Sequence, residues 1–221
     1  MKNLIKCLFV AAALSISGTA VAAAEPGNNY KLLNTPQPTS TGKIEVLEFF
    51  FYECSHCFHL HPLLAAWERN MPKDVELAYV PTIFRDSTEP LARAYYALES
   101  MGQIRQLDDA IYQAIHVNNE NLSDPNAIAD FVAKHGVDRA KFSAAYSSFS
   151  MQNKIMRARQ MLRSYGINGT PTLVVDGKYL ITGLHPEDAI RVLDEVIALA
   201  RKDHPAAPAG SRQSDKAKAK H

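Results

Sequence analysis

Two cysteines separated by two residues, Cys54 and Cys57, follow a strongly apolar run that ends in three phenylalanines and a tyrosine, with only Glu53 in between. Such near-continuous apolarity is typical of a central strand covered on both faces, and we predict this strand over residues 43–52. A helix is predicted over residues 54–70, because apolar side chains recur there at helical spacing: Leu60, Leu63, Leu64 and Trp67. The cysteine pair therefore marks the point where a buried strand gives way to a helix, a placement that favours redox chemistry.

The order of the remaining elements defines the fold class. A strand at residues 75–80 follows the first helix, so the first two strands form a parallel βαβ unit with a right-handed crossover. Helical patterns then continue without a strand as far as residue 166, and one of these helices is predicted to be capped by Ser123. Strand character returns on both sides of Asp176-Gly177, a two-residue hairpin signal, and a final helix follows. This order predicts an α/β protein, specifically a thioredoxin fold with an inserted all-helical domain.

The predicted boundaries follow from these patterns and from composition. Residues 25–41 are rich in Pro, Asn, Gly and Thr and are expected to be irregular. Pro, Ala, Ser and Lys without periodicity predict a disordered tail at the carboxyl end. The predicted segments are the first part of the thioredoxin domain at 25–84, the helical insertion at 85–166, the second part of the thioredoxin domain at 167–202 and the tail at 203–221.

The amino-terminal residues have the pattern of a secretory signal peptide, predicted over residues 1–24. A positively charged start is followed by an apolar stretch over residues 8–16 and by small residues that offer cleavage after Ala22 or Ala24. Cleavage would remove Cys7 and leave only the C-x-x-C pair in an exported protein. A loop this small constrains the unfolded chain little, so the pair is expected to be chemical rather than structural.

Composition limits the partners. The chain has 221 residues, is 47% hydrophobic and carries a formal net charge of +1. This is enough apolar material for one good core. The near-neutral balance creates no long-range field that would recruit nucleic acid, so no nucleic-acid partner is expected.

The position of Cys54 at a predicted helix start predicts a reactive thiol. Unpaired backbone N–H groups at a helix amino terminus stabilise an anion, and His56 offers a further donor or positive charge. We predict that Cys54 is the exposed nucleophile and that Cys57 is the buried resolving partner. Two alternatives remain open: a structural pair of cysteines, or a metal site in which His61 joins Cys54 and Cys57 on one helical face, with His59 nearby.

Glu48 interrupts the apolar strand six residues before Cys54. A buried carboxyl group there would have a raised pKa and could relay a proton for Cys57. The alternative is a Glu48 side chain that points to solvent at the rim of the sheet. Thr170-Pro171 directly precedes a predicted strand, where the sequence alone favours an ordinary turn.

These residues together resemble the DsbA branch of the thioredoxin superfamily. The resemblance covers most of the chain after the signal peptide and depends on the following segments: Val46-Leu47-Glu48-Phe49-Phe50, Cys54-Ser55-His56-Cys57, the helical insertion, Gly169-Thr170-Pro171 and the hairpin Asp176-Gly177-Lys178-Tyr179.

The resemblance implies a periplasmic protein thiol–disulfide oxidoreductase that donates its Cys54–Cys57 disulfide to reduced, folding exported proteins through a mixed disulfide. It also implies that His56 lowers the pKa of Cys54, that Glu48 aids proton transfer, and that Pro171 is cis in a loop, with Thr170, that pairs with substrate backbone. A DsbB-like membrane partner that passes electrons to quinone would reoxidise the pair, and no cofactor or metal is expected.

Three positions depart from the family pattern, since Ser55 stands where proline is commonest, Thr170 stands where valine is usual, and Pro62 resembles the kinking proline of thioredoxin itself. Thr170 is more typical of the isomerase branch, so an isomerase or reductase of the same fold stays open as an alternative. Disulfide isomerases of the DsbC type carry a separate amino-terminal dimerisation domain. The segment at 25–41 is too short to form such a domain. We therefore expect a monomeric oxidase.

Overall fold

The computed structural model describes residues 24–39 and 42–203. The predicted signal peptide, apart from Ala24, lies outside the described residues, and so does the predicted tail, apart from Asp203. Asp203 is the last residue of a helix rather than the first residue of a tail, so the predicted boundary at this point is wrong by one residue. The other predicted domain boundaries stay predictions.

Five strands form one mixed sheet within the described residues: β1 (Lys31–Leu32), β2 (Ile44–Phe50), β3 (Val75–Pro81), β4 (Thr172–Val175) and β5 (Tyr179–Thr182). Its spatial order is β1-β5-β4-β2-β3, with β2 and β3 parallel and the other neighbours antiparallel. The parallel pairing agrees with the predicted βαβ unit. The short strand β1 lies in a segment that we expected to be irregular.

Seven α-helices are described, and five of them stand between β3 and β4, as the sequence predicts. None of the described helices is long and apolar enough to cross a membrane. The helices are α1 (Ser55–Glu68), α2 (Glu89–Ser100), α3 (Ile104–His116), α4 (Pro125–Lys134), α5 (Arg139–Tyr146), α6 (Phe149–Ser164) and α7 (Pro186–Asp203).

Helix α4 begins one residue later than we predicted. Its cap is Asp124, whose carboxylate accepts hydrogen bonds from the backbone N–H groups of Asn126 and Ala127. Ser123 lies outside the helix because Pro125 occupies the first helical position, where its fixed φ and missing N–H are tolerated. The residue immediately before that proline is therefore the cap.

Strand β2 is buried along its whole length because helices cover both of its faces. Val46 packs in a cluster with residues of α1 and α7, such as Leu60 and Val192. Leu47 packs in a second cluster with side chains of the helical insertion. Successive side chains of a strand alternate between its faces, so Glu48 lies on the same face as Val46. The apolar run thus brings one carboxyl group into the centre of the molecule.

Candidate active site

The two cysteines lie at the junction between β2 and α1. Cys54 is the residue immediately before the helix, with extended backbone angles, and no side chain caps the helix at this point. Cys57 lies in the first turn. Cys54 is half-buried, whereas Cys57 has no exposed surface, and both are free thiols. The predicted arrangement of an accessible first cysteine and a buried second cysteine is present.

The surroundings of the two thiols give them very different pKa values. Hydrogen bonding to the Cys57 thiol lowers the pKa of Cys54 to about 5, against partial burial, which raises it. The Thr170 side chain and the backbone N–H groups of Cys57 and His56 add to the lowering. Burial raises the pKa of Cys57 far above its ordinary value, and the neighbouring Cys54 and Glu48 raise it further. At neutral pH the pair is therefore one thiolate and one thiol.

Glu48 lies behind the cysteine pair in the middle of the sheet. It is paired with Tyr79 of β3 and Leu173 of β4 and is only 2% exposed, so the alternative of a solvent-facing carboxyl group is wrong. Its Oε1 atom has no hydrogen-bond partner among the described residues. Burial, the charge of Asp108 and the charge of Cys54 raise the pKa of Glu48 to about 8. The carboxyl group is thus largely protonated at neutral pH.

The loop before β4 closes over Cys54. The sulfur of Cys54 lies 3.4 Å from the carbonyl oxygen of Thr170, and the peptide bond between Thr170 and Pro171 is cis, as the resemblance implies. The hydroxyl group of Thr172 donates a hydrogen bond of 2.9 Å to the carbonyl oxygen of Gly169, which braces the loop from within. Thr170 and Pro171 are partly exposed, so an incoming chain can reach the backbone beside Cys54.

The three histidines of this region have different surroundings. His56 and His59 are exposed, and the contact recorded between His56 and Cys54 comes from the His56 backbone. His61 lies beside two acidic residues of α3: its Nε2 is 2.8 Å from Asp109, and its Nδ1 is 3.7 Å from Asp108. Within the described residues, no group of three or more His, Cys, Asp or Glu side chains is arranged to hold a metal ion.

Helix α3 contributes three polar residues that sequence reasoning missed. Asp108 accepts a hydrogen bond from the hydroxyl group of Tyr52, and the Nε2 atom of His116 lies 2.7 Å from the carbonyl oxygen of Tyr52. The ring of Tyr112 lies between them, at a centroid distance of 4.9 Å from the ring of Tyr52. Asp108, Tyr112 and His116 are spaced four residues apart, so this polar stripe on one helical face was a usable signal.

Curated relatives match most of the chain. A thiol:disulfide interchange protein DsbA from Burkholderia cepacia is 38% identical over 183 residues, which are 81% of this chain and 86% of the relative. The protein of the same name from Pseudomonas aeruginosa is 35% identical over 207 residues, which are 91% of this chain and 98% of the relative.

Solved structures agree with the curated relatives. The crystal structure of Pseudomonas aeruginosa DsbA matches with a TM-score of 0.76 and 34% identity, covering 79% of this chain and 93% of that chain. The oxidoreductase DsbA from Xylella fastidiosa matches with a TM-score of 0.76 and 33% identity, covering 82% and 100%. A family model for the DSBA-like thioredoxin domain matches residues 45–195. The chain therefore belongs to the DSBA-like thioredoxin domain family and is a thiol–disulfide oxidoreductase.

Proposed function

We propose that this protein is an oxidase of the periplasm, which donates a Cys54–Cys57 disulfide to reduced exported proteins as they fold. The observation that carries the proposal is the contrast between the two thiols. Cys54 is accessible, with a pKa lowered to about 5, while Cys57 is wholly buried. Stabilising the thiolate of the reduced protein makes its disulfide a stronger oxidant.

The proposed reaction has two exchange steps. A substrate thiolate attacks the sulfur of Cys54, which forms the mixed disulfide and breaks the Cys54–Cys57 bond. Cys57 leaves with the electron pair and takes the proton of the buried Glu48 carboxyl group. A second substrate thiolate then attacks the substrate sulfur of the mixed disulfide, and Cys54 leaves as its stabilised thiolate. The substrate gains a disulfide and the protein becomes the dithiol form.

The loop of Thr170 and Pro171 is the proposed binding edge for substrate backbone. It runs beside Cys54, and the Thr170 carbonyl group faces the reacting sulfur. Next to Cys57 in sequence, the ring of Phe58 stacks on His116, and Val117, which follows His116, is 55% exposed. An apolar rim beside a backbone edge suits extended, unfolded chains better than folded surfaces. His56 is the proposed additional donor to the Cys54 thiolate.

Reoxidation and location complete the proposal. We infer a DsbB-like membrane partner that returns electrons to quinone, and a monomer that works after removal of residues 1–24. Sequencing the amino terminus of the protein recovered from a periplasmic fraction tests export. A new terminus after Ala22 or Ala24 is expected, and an intact Met1 in that fraction would contradict it.

The test of the oxidase direction is the reduction potential of the pair in glutathione buffers. We expect a value well above the roughly −270 mV of thioredoxin. A thioredoxin-like value would contradict the oxidase and favour a reductase or isomerase. Cys57→Ala should accumulate a mixed disulfide when its Cys54 thiolate attacks a peptide disulfide and releases one peptide thiolate, since the thiol that would displace the bound peptide is missing. Cys54→Ala is the matched control and should accumulate none.

A further inference from the structure

His116, the last residue of α3, contacts the active-site segment on both sides of the cysteine pair. Its Nε2 atom lies 2.7 Å from the carbonyl oxygen of Tyr52, two residues before Cys54. Its ring stacks on Phe58, the residue after Cys57, with a centroid distance of 4.8 Å and an angle of 13° between the ring planes. One side chain of the helical insertion thus contacts both flanks of the C-x-x-C pair.

The contact with Tyr52 holds a tight turn. The N–H group of Cys54 donates a hydrogen bond of 3.0 Å to the carbonyl oxygen of Phe51, so Tyr52 and Glu53 are the central residues of a β-turn. Tyr52 is only 1% exposed, so its carbonyl group needs a hydrogen-bond donor within the protein. Since a carbonyl oxygen can only accept, His116 donates this hydrogen bond from Nε2.

The same face of α3 makes two further contacts with Tyr52. The ring of Tyr112, one helical turn before His116, lies against the ring of Tyr52 at a centroid distance of 4.9 Å. Asp108, a further turn back, accepts a hydrogen bond from the hydroxyl group of Tyr52. Three successive turns of α3 therefore contact one residue of the active-site segment, and His116 is the one that contacts its backbone.

The reactivity of Cys54 depends on where this turn holds its sulfur. The sulfur lies 3.4 Å from the carbonyl oxygen of Thr170. The backbone N–H groups of His56 and Cys57 hydrogen-bond to it and lower the pKa of Cys54. Hydrogen bonds weaken steeply when their distance or angle departs from the optimum. A loosened turn would therefore remove part of the stabilisation that makes Cys54 a thiolate.

We propose that His116 is a positioning residue, through which the helical insertion holds the turn that carries Cys54 and so sets the reactivity of that cysteine. His116 acts through the carbonyl group of Tyr52. It forms no bond with the substrate, and neither electrons nor protons pass through it. The inference concerns the exchange chemistry of Cys54 in either direction, so it does not depend on the protein being an oxidase.

The test is the equilibrium constant between the protein pair and glutathione near pH 7, which reports the reduction potential of the pair. His116→Phe keeps an aromatic ring against Phe58 but has no donor for Tyr52. The equilibrium constant of this variant should shift about threefold to tenfold toward the protein disulfide, because the thiolate of the reduced protein is less stable. The ultraviolet absorbance of the Cys54 thiolate should show the same effect, as a midpoint raised by about half a pH unit to one unit.

His116→Gln is the rescue variant. A glutamine side chain ends in an amide N–H donor that can reach the Tyr52 carbonyl group, but it has no aromatic ring to stack on Phe58. Its equilibrium constant with glutathione should stay within about twofold of that of the unmodified protein. A shift in His116→Gln as large as that in His116→Phe, or no shift in His116→Phe, would overturn the proposal.

Asp124→Ala separates positioning from general loss of stability. It removes the cap of α4 in the same helical insertion, so it should destabilise the fold by an amount comparable with His116→Phe. The proposal predicts that the reduction potential changes in His116→Phe and stays in place in Asp124→Ala. Equal shifts in the two variants would mean that His116 is merely structural.

A second measurement needs no variant and keeps the proposal testable if His116→Phe does not fold. Long-range proton–nitrogen NMR of the unmodified reduced protein identifies which ring nitrogen of His116 carries hydrogen. Nε2 should carry it, because the Tyr52 carbonyl group accepts a hydrogen bond from this atom. A ring that carried hydrogen only at Nδ1 could not donate to Tyr52, and this result would overturn the proposal.

Discussion

The sulfur of Cys54 lies 3.4 Å from the carbonyl oxygen of Thr170, although 116 positions separate the two residues in sequence. A thiol can donate a hydrogen bond to that carbonyl group, but a thiolate or a disulfide sulfur cannot. The Thr170 carbonyl group therefore loses its donor whenever Cys54 ionises or is oxidised. A backbone N–H group of an incoming substrate chain can then donate a hydrogen bond to the Thr170 carbonyl group in place of the thiol. This contact would hold the substrate chain beside the sulfur of Cys54.

The acidity of Cys54 is the first prediction. In the reduced protein, the ultraviolet absorbance of the thiolate should rise with a midpoint near pH 5, the pKa of Cys54. Cys57→Ala should move this midpoint upward, because it removes the hydrogen bond that lowers the pKa of Cys54 most. Ser55→Ala, beside Cys54 on the exposed side of the helix, should leave it in place. A midpoint near the ordinary value of 9.0 in the unmodified protein would contradict the prediction.

The second prediction concerns His116, which holds the turn before Cys54. His116→Phe preserves the stacking on Phe58 but removes the 2.7 Å contact with the carbonyl oxygen of Tyr52, a residue that is almost fully buried. The free energy of unfolding in urea should fall by about 1–2 kcal/mol. His59→Phe is the control, because His59 is exposed on α1. Equal stabilities of the two variants would mean that this contact contributes nothing.

The periodicity of the sequence was sufficient to predict the main architecture. The apolar run of β2 is recognisable because helices cover both of its faces, and the change from strand to helical periodicity places Cys54 and Cys57 at the junction. Strand β1 was missed because it is only two residues long, and its pairing with β5 is made by backbone groups that no side-chain pattern reports.

The candidate site was only partly predictable, for a physical reason. The neighbours Glu48 and Cys57 belong to adjacent elements, so local patterns bring them together. Asp108, in contrast, reaches Tyr52 across 56 residues, and that contact depends on how the helical insertion packs against α1. The polar stripe of Asp108, Tyr112 and His116 can be recognised in the sequence. The sequence around it does not indicate which surface of the protein the stripe packs against.

The third prediction separates the observed helix cap from the one expected from sequence. Asp124→Ala should lower the free energy of unfolding by about 1 kcal/mol, because two backbone N–H groups at the start of α4 lose their acceptor. Ser123→Ala should change it by less than about 0.5 kcal/mol, since the Ser123 side chain hydrogen-bonds, within the described part of the chain, only to Asn121 in the preceding loop. Thermal or urea unfolding of the two variants tests this directly. A larger loss of unfolding free energy for Ser123→Ala than for Asp124→Ala would mean that Ser123 caps α4, as predicted from the sequence.

The fourth prediction is a pH dependence of stability set by Glu48. Its pKa is about 8 in the folded protein and 4.5 when unperturbed, so the folded state binds the proton more tightly than the unfolded state. The stability that this proton contributes is complete below pH 4.5 and is lost as the pH rises through 8. Complete ionisation of Glu48 in the folded protein lowers the free energy of unfolding by at most about 5 kcal/mol.

The oxidised protein is the right form for this measurement, because the disulfide removes both thiols from the titration. Its free energy of unfolding should decline from about pH 5 upward and stop declining below pH 8, because the disulfide lacks the Cys54 charge that helps to raise the pKa of Glu48. Glu48→Gln should remove most of that decline, since a buried amide keeps the shape of the protonated acid without its ionisation. Glu76→Gln, at an exposed position of β3, should keep the decline. A decline that persists in Glu48→Gln would place the responsible group elsewhere and would mean that Glu48 does not hold its proton at neutral pH.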